Sequence, residues 1–262
     1  MKYAVIILVF MVLFMNVPLN SFAENGEYSK YNSLKLRHAT NPHVCLFEVN
    51  PELYDWYKLK YITISAIEEW ILKLEYAYPK GDWAVAVETI PWEEHENKTA
   101  FNYSKCNIMI NYEKTSNSKT LGSTGLNFNT SWHKFMFINV FLESQKNITK
   151  IVIGDNMSTS TLEMIQESYP LSDNTIRNII LHEFGHGLGL AHFNLNRSMQ
   201  GYTQSVMAPT ISPFDENQIL SVTYLDLVMI GKIYGENGWN KPVPVFHIKG
   251  CYISDSYIFR CY

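Results

Sequence analysis

The chain has 262 residues and a formal net charge of −4 at pH 7. A mildly acidic chain lacks the concentrated positive charge that nucleic acids attract, so its composition argues against nucleic acid as a partner. Hydrophobic residues make up 47% of the sequence, which is enough for a sizeable core, and the length suits one domain with a small appendage.

Residues 1–23 have the composition of a secretory signal peptide. Lys2 precedes an apolar run at residues 4–15, and the segment ends in Ala23. The run is too short for a bilayer, which takes about 20 apolar residues. We therefore expect cleavage after Ala23, with an uncleaved anchor as the alternative. The cleaved protein is expected to be secreted or bound at the cell surface, without stable membrane insertion.

The first third of the remaining chain contains a polar arm, two strands and a helix. Residues 24–43 are polar and aperiodic and predict an extended arm. Residues 44–49 (VCLFEV) predict a strand. Residues 62–76 have the apolar spacing of an amphipathic helix, which ends at the turn 79–81 (PKG), and residues 84–90 predict a second strand.

The middle of the chain predicts strands that flank a long loop. Residues 107–112 (NIMINY) are almost continuously apolar and predict a strand. Residues 113–132 are rich in Ser, Thr, Asn and Gly, and we interpret them as a long loop. Residues 135–142 (FMFINVFL) give the strongest strand signal in the chain, and residues 151–154 predict a further short strand.

Two helices are expected next. Residues 161–169 predict a short helix that Pro170 stops. A second helix begins near Thr175, after Ser172 or Asp173 as its N-terminal cap.

This second helix leads into residues 182–192, which read HEFGHGLGLAH. His182 and His186 are one turn apart and project from the same face. A catalytic Zn²⁺ takes three protein ligands and favours neutral imidazole nitrogens. On a continuing helix His192 would point away from the other two, so the chain must turn back. Gly189 stands where that reversal is needed, because Gly accepts a positive φ at little cost.

Glu183 is the candidate catalytic residue. It lies beside both helical histidines but is offset from their face by about 100°. From there its carboxylate can take a proton from the attacking water and deliver it to the leaving amine. The order H-E-x-x-H-x-x-G-x-x-H resembles the signature of the metzincin zinc peptidases.

A second motif supports this resemblance. Residues 205–209 read SVMAP, which resembles the methionine turn that metzincins carry beneath the metal, in the V-M-x-P form of the matrixins, the matrix metalloproteinases. The resemblance implies that Met207 is an apolar floor and not a ligand. It also implies that the segment with Pro209 walls the pocket for the residue after the scissile bond.

The resemblance implies an α+β fold of the metzincin-like zincin type. That fold has a twisted mixed sheet, a long backing helix anchored here by Trp70, an active-site helix and a C-terminal helix. Residues 222–234 predict the C-terminal helix, which Gly235 closes, and Asp226 is expected to be a buried hydrogen-bonding group near the methionine turn. Residues 135–142 are expected at the sheet edge above the cleft, where a peptide can add as another strand. A buried central strand is the alternative.

The four cysteines allow three pairings, and an exported chain favours disulfides. Locality favours Cys251 with Cys261, which leaves Cys45 with Cys106. Matrixin propeptides use a cysteine thiolate to cap the zinc, but Cys45 lacks the surrounding Pro-Arg-Cys-Gly pattern, so this alternative is disfavoured.

The sequence thus predicts four parts: a signal peptide (1–23), a polar arm (24–43), a metzincin-like catalytic domain (44–236) and a short disulfide-tied appendage (237–262). We expect a monomeric zinc endopeptidase that acts on protein or peptide substrates with one catalytic Zn²⁺. Matrixins commonly hold structural calcium, and Ca²⁺ is left open because the acidic loops show no recognisable ligand pattern. Two alternative functions stay open, a zinc-retaining surface binding module without turnover and a zinc amidase that acts on cell-wall material.

Overall fold

The structure of the protein is a computed structural model. It describes residues 38, 40–50, 54–96, 106–115, 120–129, 132–153, 160–192, 205–208, 211–213, 215–239, 251–252 and 260–261. The predicted signal peptide and most of the predicted arm lie outside these residues. Within the described ranges, no helix combines the length and the hydrophobicity needed to cross a bilayer.

The described strands form one mixed sheet. Their bounds are β1 His43–Phe47, β2 Ala86–Ile90, β3 Ile108–Thr115, β4 Gly122–Asn129, β5 Trp132–Ile153, β6 Ser160–Pro170, β7 Cys251–Tyr252 and β8 Arg260–Cys261. The order across the sheet is β2-β1-β3-β5-β4-β7-β8, and β6 pairs with β5. Strands β2, β1, β3 and β5 are parallel, whereas β4 is antiparallel to β5. The predicted α+β class with a mixed sheet is confirmed.

The described helices are α1 Trp56–Ala77, α2 Trp92–Glu96, α3 Asp173–Gly187 and α4 Tyr224–Tyr234. Helix α1 begins earlier than the predicted residue 62, because the Asp55 side chain accepts a hydrogen bond from the Lys58 N–H at 3.1 Å and caps the first turn. Ser172, one of the two predicted caps, caps α3 in the same way, whereas Asp173 is the first residue of the helix. The short helix α2 was not predicted.

Helix α3 is buried between α1 and the sheet. On one side, Trp70 of α1 is fully buried and its indole N–H donates to the Leu181 carbonyl at 3.0 Å. On the other side, a Cβ added at Gly187 would lie 3.5 Å from the Ile138 side chain and 3.7 Å from that of Ile108. The backbone of α3 therefore rests closely on β3 and β5, and Trp70 is the anchor of the backing helix.

The expected loop over residues 113–132 is wrong in its second half. Strand β4 occupies much of it and pairs along its length with β5. The pattern did not indicate a strand at the start of β4, because the buried residues described there are Gly122 and Thr124, which are small or polar instead of apolar. These two residues face α3 rather than a hydrophobic core, as the site geometry shows.

The expected edge position of residues 135–142 is also wrong. They belong to β5, which lies between β3 and β4 and pairs with both. The side chains of Met136, Ile138 and Val140 are fully buried. The alternative, a buried central strand, is the correct one for the face that carries these three residues, whereas Phe137 on the other face is exposed.

The expected short helix over residues 161–169 is a strand. Strand β5 runs without a break from the sheet through the predicted short strand as far as Ile153, and β6 returns beside it. The backbone register of this hairpin places Ile148 opposite Ile165 and Lys146 opposite Glu167. The spacing of residues within a short segment does not show which other strand the segment pairs with. The helix prediction for residues 161–169 therefore failed.

One predicted disulfide is present and the other has a suitable backbone. Cys45 in β1 and Cys106 before β3 are bonded, with their Cα atoms 5.8 Å apart, so Cys45 is not a thiolate that caps the metal. Cys251 and Cys261 are directly opposite each other in β7 and β8. Opposite residues of antiparallel strands are within disulfide reach, and this second bridge remains a prediction.

Residues on both sides of the predicted catalytic domain pack near α4. Trp239 is fully buried and its ring centroid is 4.9 Å from that of Trp83. His38 is only 1% exposed, its backbone N–H donates to the Tyr234 hydroxyl, and its Nε2 donates to the Gly187 carbonyl at 2.9 Å. His38 is thus a buried, hydrogen-bonded residue. The domain boundaries at residues 44 and 236 remain predictions.

The His38 environment predicts a pH dependence of stability. Burial lowers the pKa of His38 to about 4 from 6.5, against the opposing hydrogen bond to Gly187. Between these pH values the His38 ring is protonated in the unfolded chain but neutral in the folded protein, so the free energy of unfolding falls as pH falls from 6.5 towards 4. At the acid end the loss amounts to about 3 kcal/mol.

The variant His38→Gln keeps an N–H donor but has no titrating ring, so it should lack this loss. The measurement is the difference in free energy of unfolding between wild type and variant from pH 7 to pH 4. The other histidines titrate in both proteins and cancel. A difference that stays constant with pH would contradict the expectation.

Candidate metal centre

Helix α3 ends in the turn that the histidine motif requires. Gly189 has φ 96°, a conformation that strains any residue with a Cβ. The Gly189 N–H donates to the His186 carbonyl at 2.9 Å, and the Leu190 N–H donates to the Gly185 carbonyl at 3.0 Å. These two bonds make a Schellman motif, which satisfies the last carbonyls of the helix and turns the chain back towards His192.

The turn brings the three predicted histidines together. The Nε2 atoms of His182 and His186 are 3.1 Å apart, those of His182 and His192 are 3.0 Å apart, and those of His186 and His192 are 3.1 Å apart. Tetrahedral zinc with bonds of about 2.0–2.1 Å places its nitrogen ligands roughly 3.3–3.4 Å from one another. The triangle of nitrogens therefore has nearly the size of a zinc ligand set.

Hydrogen bonds at the other ring nitrogen fix the tautomers of the two helical histidines. His182 Nδ1 is 2.8 Å from the Val206 carbonyl oxygen, and His186 Nδ1 is 2.8 Å from the Leu190 carbonyl oxygen. A carbonyl only accepts, so Nδ1 carries the proton and Nε2 presents a lone pair. Facing lone pairs repel at this distance, and a cation among them removes the repulsion. The donor set fits zinc.

Electrostatics keep all three rings neutral. Burial lowers the pKa of His182 to about 4, with repulsion from His192 as the second cause. Burial also lowers the pKa of His186 well below its usual value, with added repulsion from the other two rings. Burial alone lowers the pKa of His192. Neutral imidazole is the form that binds a metal ion, so no ring has to lose a proton at neutral pH.

Residues 205–208 form a tight turn beneath the histidines. The Ala208 N–H donates to the Ser205 carbonyl at 3.0 Å. Met207 is fully buried, and a Cβ added at Gly185 would lie 2.3 Å from its sulfur. Met207 therefore packs directly on the backbone of α3 between the two helical histidines, where the sequence places an apolar floor. Pro209 lies outside the described residues.

Asp226 of α4 connects this turn to the histidines. Its carboxylate is fully buried and accepts hydrogen bonds from the Ser205 hydroxyl at 2.5 Å and the Val206 N–H at 3.4 Å. It also accepts from the Thr223 N–H at 2.8 Å. Burial raises the pKa of Asp226, and the hydrogen bonds from Ser205 and Thr223 oppose that rise. Because Val206 in turn holds His182, this chain of contacts orients the His182 ring.

Glu183 is 1% exposed, and its carboxylate faces β4. The Thr124 hydroxyl donates to Glu183 Oε2 at 2.6 Å. A Cβ added at Gly122 would lie 2.8 Å from Glu183 Oε1 and 2.7 Å from Ile179. Sequence reasoning missed both β4 residues because it interpreted their segment as a loop. The alternation of Leu126 and Phe128 with Asn127 and Asn129 is the sequence signal that could have found this strand.

Comparison with known families decides the assignment. The family model for matrixins matches residues 55–235, which is more than half of the chain and includes the three histidines and Glu183. The chain belongs to the matrixin family. It is a zinc metalloendopeptidase, and peptides are its substrates. No curated protein matches the chain.

This matrixin has one other group of metal-ligating side chains among its described residues. His43, Cys45 and Glu88 lie close together, but the sulfur of Cys45 is bonded to Cys106. His43 and Glu88 contact each other at 3.1 Å. Only two ligands remain there, so the three-histidine cluster is the described group that can hold a catalytic zinc. Calcium, which the family resemblance raises, stays open.

The role of Asp226 yields a prediction. Asp226→Asn replaces an oxygen that accepts hydrogen bonds with an amide that donates them, so the turn and the His182 ring lose their fixed positions. Zinc affinity is expected to fall roughly 10- to 100-fold. Competition with a chromogenic zinc chelator measures it. Asp55→Asn is the matched control, because Asn caps a helix as well as Asp does. An Asp226→Asn protein with wild-type zinc affinity would contradict the expectation.

Proposed function

We propose that this matrixin is a secreted endopeptidase in which His182, His186 and His192 hold the zinc and Glu183 is the general base and acid. The observation that carries the proposal is the convergence of three imidazole nitrogens beside one buried carboxylate. Zinc, when bound, supplies a Lewis acid that polarises the scissile carbonyl and lowers the pKa of water.

Glu183 moves the proton in this proposal. It directly follows His182 on α3, so its carboxylate is close to the metal without belonging to the ligand face. Oε1 takes the proton of the attacking water and passes it to the leaving amine nitrogen, while Oε2 keeps its hydrogen bond from Thr124. The burial of Glu183 supports this role, because a buried carboxylate exchanges protons with the substrate rather than with bulk solvent.

A peptide substrate is proposed to extend beside β4. In the order of the sheet, β4 lies between β5 and the two-residue strand β7, and its residue Thr124 contacts Glu183. Residues 122–124 precede Gly125, where β7 pairs with β4. An extended peptide can add to such a strand through main-chain hydrogen bonds, which would place its scissile bond next to Glu183.

The test of Glu183 is the variant Glu183→Ala. Loss of the proton carrier should lower kcat by about 10²- to 10⁴-fold or more, while zinc content stays at about one ion per chain. Hydrolysis of casein and of a quenched-fluorescent peptide library measures activity, and metal analysis measures zinc. Retained hydrolysis by the variant would refute the base assignment.

The same assays separate the alternative functions. A wild-type protein that binds zinc but cleaves no peptide would support the binding module without turnover. Release of amino groups from cell-wall fragments, with no cleavage of peptides, would support the amidase. Peptide cleavage that a chelator abolishes supports the endopeptidase.

Secretion is proposed from residues 1–23, and it has its own prediction. Expression of the full chain in a secreting host should yield an extracellular protein whose N-terminal residue is Glu24, because Ala23 precedes the expected cleavage point. Mass spectrometry of the N-terminal peptide measures this. Deletion of residues 2–23 should keep the protein inside the cell. An extracellular protein that still begins at Met1 would contradict the proposal.

A further inference from the structure

Strand β4 presents two buried residues to α3, and both meet Glu183. Alternate residues of a strand point to the same face, so Gly122 and Thr124 share one face and Ser123 lies on the other. Gly122 and Thr124 are buried, whereas Ser123 is partly exposed. Buried positions of a strand ordinarily carry apolar side chains that fill the core. In β4 these positions are instead occupied by Gly122, which has no side chain, and by Thr124, which carries a hydroxyl group.

The hydroxyl of Thr124 has one proton and two nearby acceptors. Glu183 Oε2 is 2.6 Å away, and the Glu183 carbonyl oxygen is 3.2 Å away. The closer acceptor also bears the charge of the carboxylate, so the hydroxyl donates its hydrogen bond to Oε2. Thr124 is 1% exposed and is branched at Cβ, which leaves its hydroxyl little rotational freedom. The donor is therefore fixed in place before Glu183 reacts.

Gly122 completes the arrangement by leaving space. A Cβ at this position would lie 2.9 Å from Glu183 Cγ and 2.8 Å from Oε1. The Glu183 carboxylate thus lies so close to the backbone of Gly122 that a residue with a Cβ would collide with it. The Glu183 side chain is confined between Gly122 and the Thr124 hydroxyl.

We propose that Thr124 is a positioning residue for Glu183, and the proposal rests on the proton-transfer role of Glu183 given above. The hydroxyl holds Oε2, and Gly122 provides the space that the carboxylate occupies, so Oε1 keeps one orientation for proton transfer. Thr124 itself does not react. Proton transfer requires a carboxylate within hydrogen-bond reach in the correct direction, and small displacements of such a group cost large factors in rate.

The experiment compares Thr124→Val with Thr124→Ser. Valine keeps the shape of threonine and removes the hydroxyl, whereas serine keeps the hydroxyl. On a quenched-fluorescent peptide, kcat of Thr124→Val should fall roughly 10- to 100-fold with KM unchanged, because a hydrogen bond to a charged group is lost. Thr124→Ser should retain most of the wild-type kcat. Zinc content should stay at about one ion per chain in both variants.

A matched control is available in the same fold. Thr63 is also a fully buried threonine, and its hydroxyl donates to the Leu59 carbonyl and contacts the Tyr112 hydroxyl, away from Glu183. Thr63→Val removes the same group and should lower the melting temperature without lowering kcat. Equal losses of kcat in Thr63→Val and Thr124→Val would show a general packing effect and overturn the proposal.

A second measurement on metal-free protein does not depend on activity. Thr124→Val should lower the melting temperature when Glu183 is present, because a buried carboxylate loses its donor. In the Glu183→Ala background, Thr124→Val should lower the melting temperature much less. Thr63→Val should lower the melting temperature by the same amount in both backgrounds. Equal costs of Thr124→Val in both backgrounds would overturn the proposal. Where Thr124→Val fails to fold, Thr124→Ala takes its place in both experiments.

The two proposals fail in different ways. If Glu183→Ala is inactive and Thr124→Val has the wild-type kcat, the positioning role is wrong and the catalytic role of Glu183 stands. If Thr124→Ser loses as much kcat as Thr124→Val, the hydroxyl is not the cause and the positioning role is wrong. If the zinc-loaded wild-type protein cleaves no peptide, the proposed function is wrong, and the melting temperatures still decide whether Thr124 and Glu183 are coupled.

Discussion

The metal centre depends on three neutral imidazoles whose Nε2 atoms converge, with His182 and His186 buried and His192 partly exposed. The Nε2 atoms of His182 and His186 are 3.1 Å apart, and because both carry lone pairs they repel each other unless a cation lies between them. The protein must hold this arrangement against that repulsion. It does so from outside the triangle, because backbone carbonyls accept the Nδ1 protons of His182 and His186. The carbonyl of Val206 is itself positioned by Asp226 through the turn that contains Met207.

The same constraint explains how tightly α3 is fixed to its neighbours. Near its start, Arg177 pairs with Glu69 of α1 and donates to the Leu220 carbonyl at 2.9 Å. At the middle of α3, the Trp70 indole N–H donates to the Leu181 carbonyl. Each contact comes from a distant part of the chain. Helix α3 carries His182, His186 and Glu183, and a rotation or slide of the helix would separate them from His192. The helix is tied to other elements near its start and at its middle.

The sequence predicted what the local chain determines. His182, His186 and Gly189 belong to one helix and its terminal turn, whose geometry follows from residue spacing and from the freedom of glycine, and Ser172 caps the same helix. Residues 161–169 were misassigned because their structure follows from pairing with β5, which lies outside any local window. The central position of β5 likewise depends on β4, a strand that the pattern did not reveal.

The failure at β4 has a chemical cause. Strand prediction from sequence assumes that buried positions carry apolar side chains, because most strands pack against a hydrophobic core. Gly122 and Thr124 are buried against a carboxylate instead, and a carboxylate requires a donor and space rather than apolar contact. Sequences depart from the patterns of stable folding mainly where a site demands it. A strand that begins with small or polar buried residues next to a strongly apolar strand is therefore informative about chemistry, and here it leads to Thr124, the proposed positioning residue.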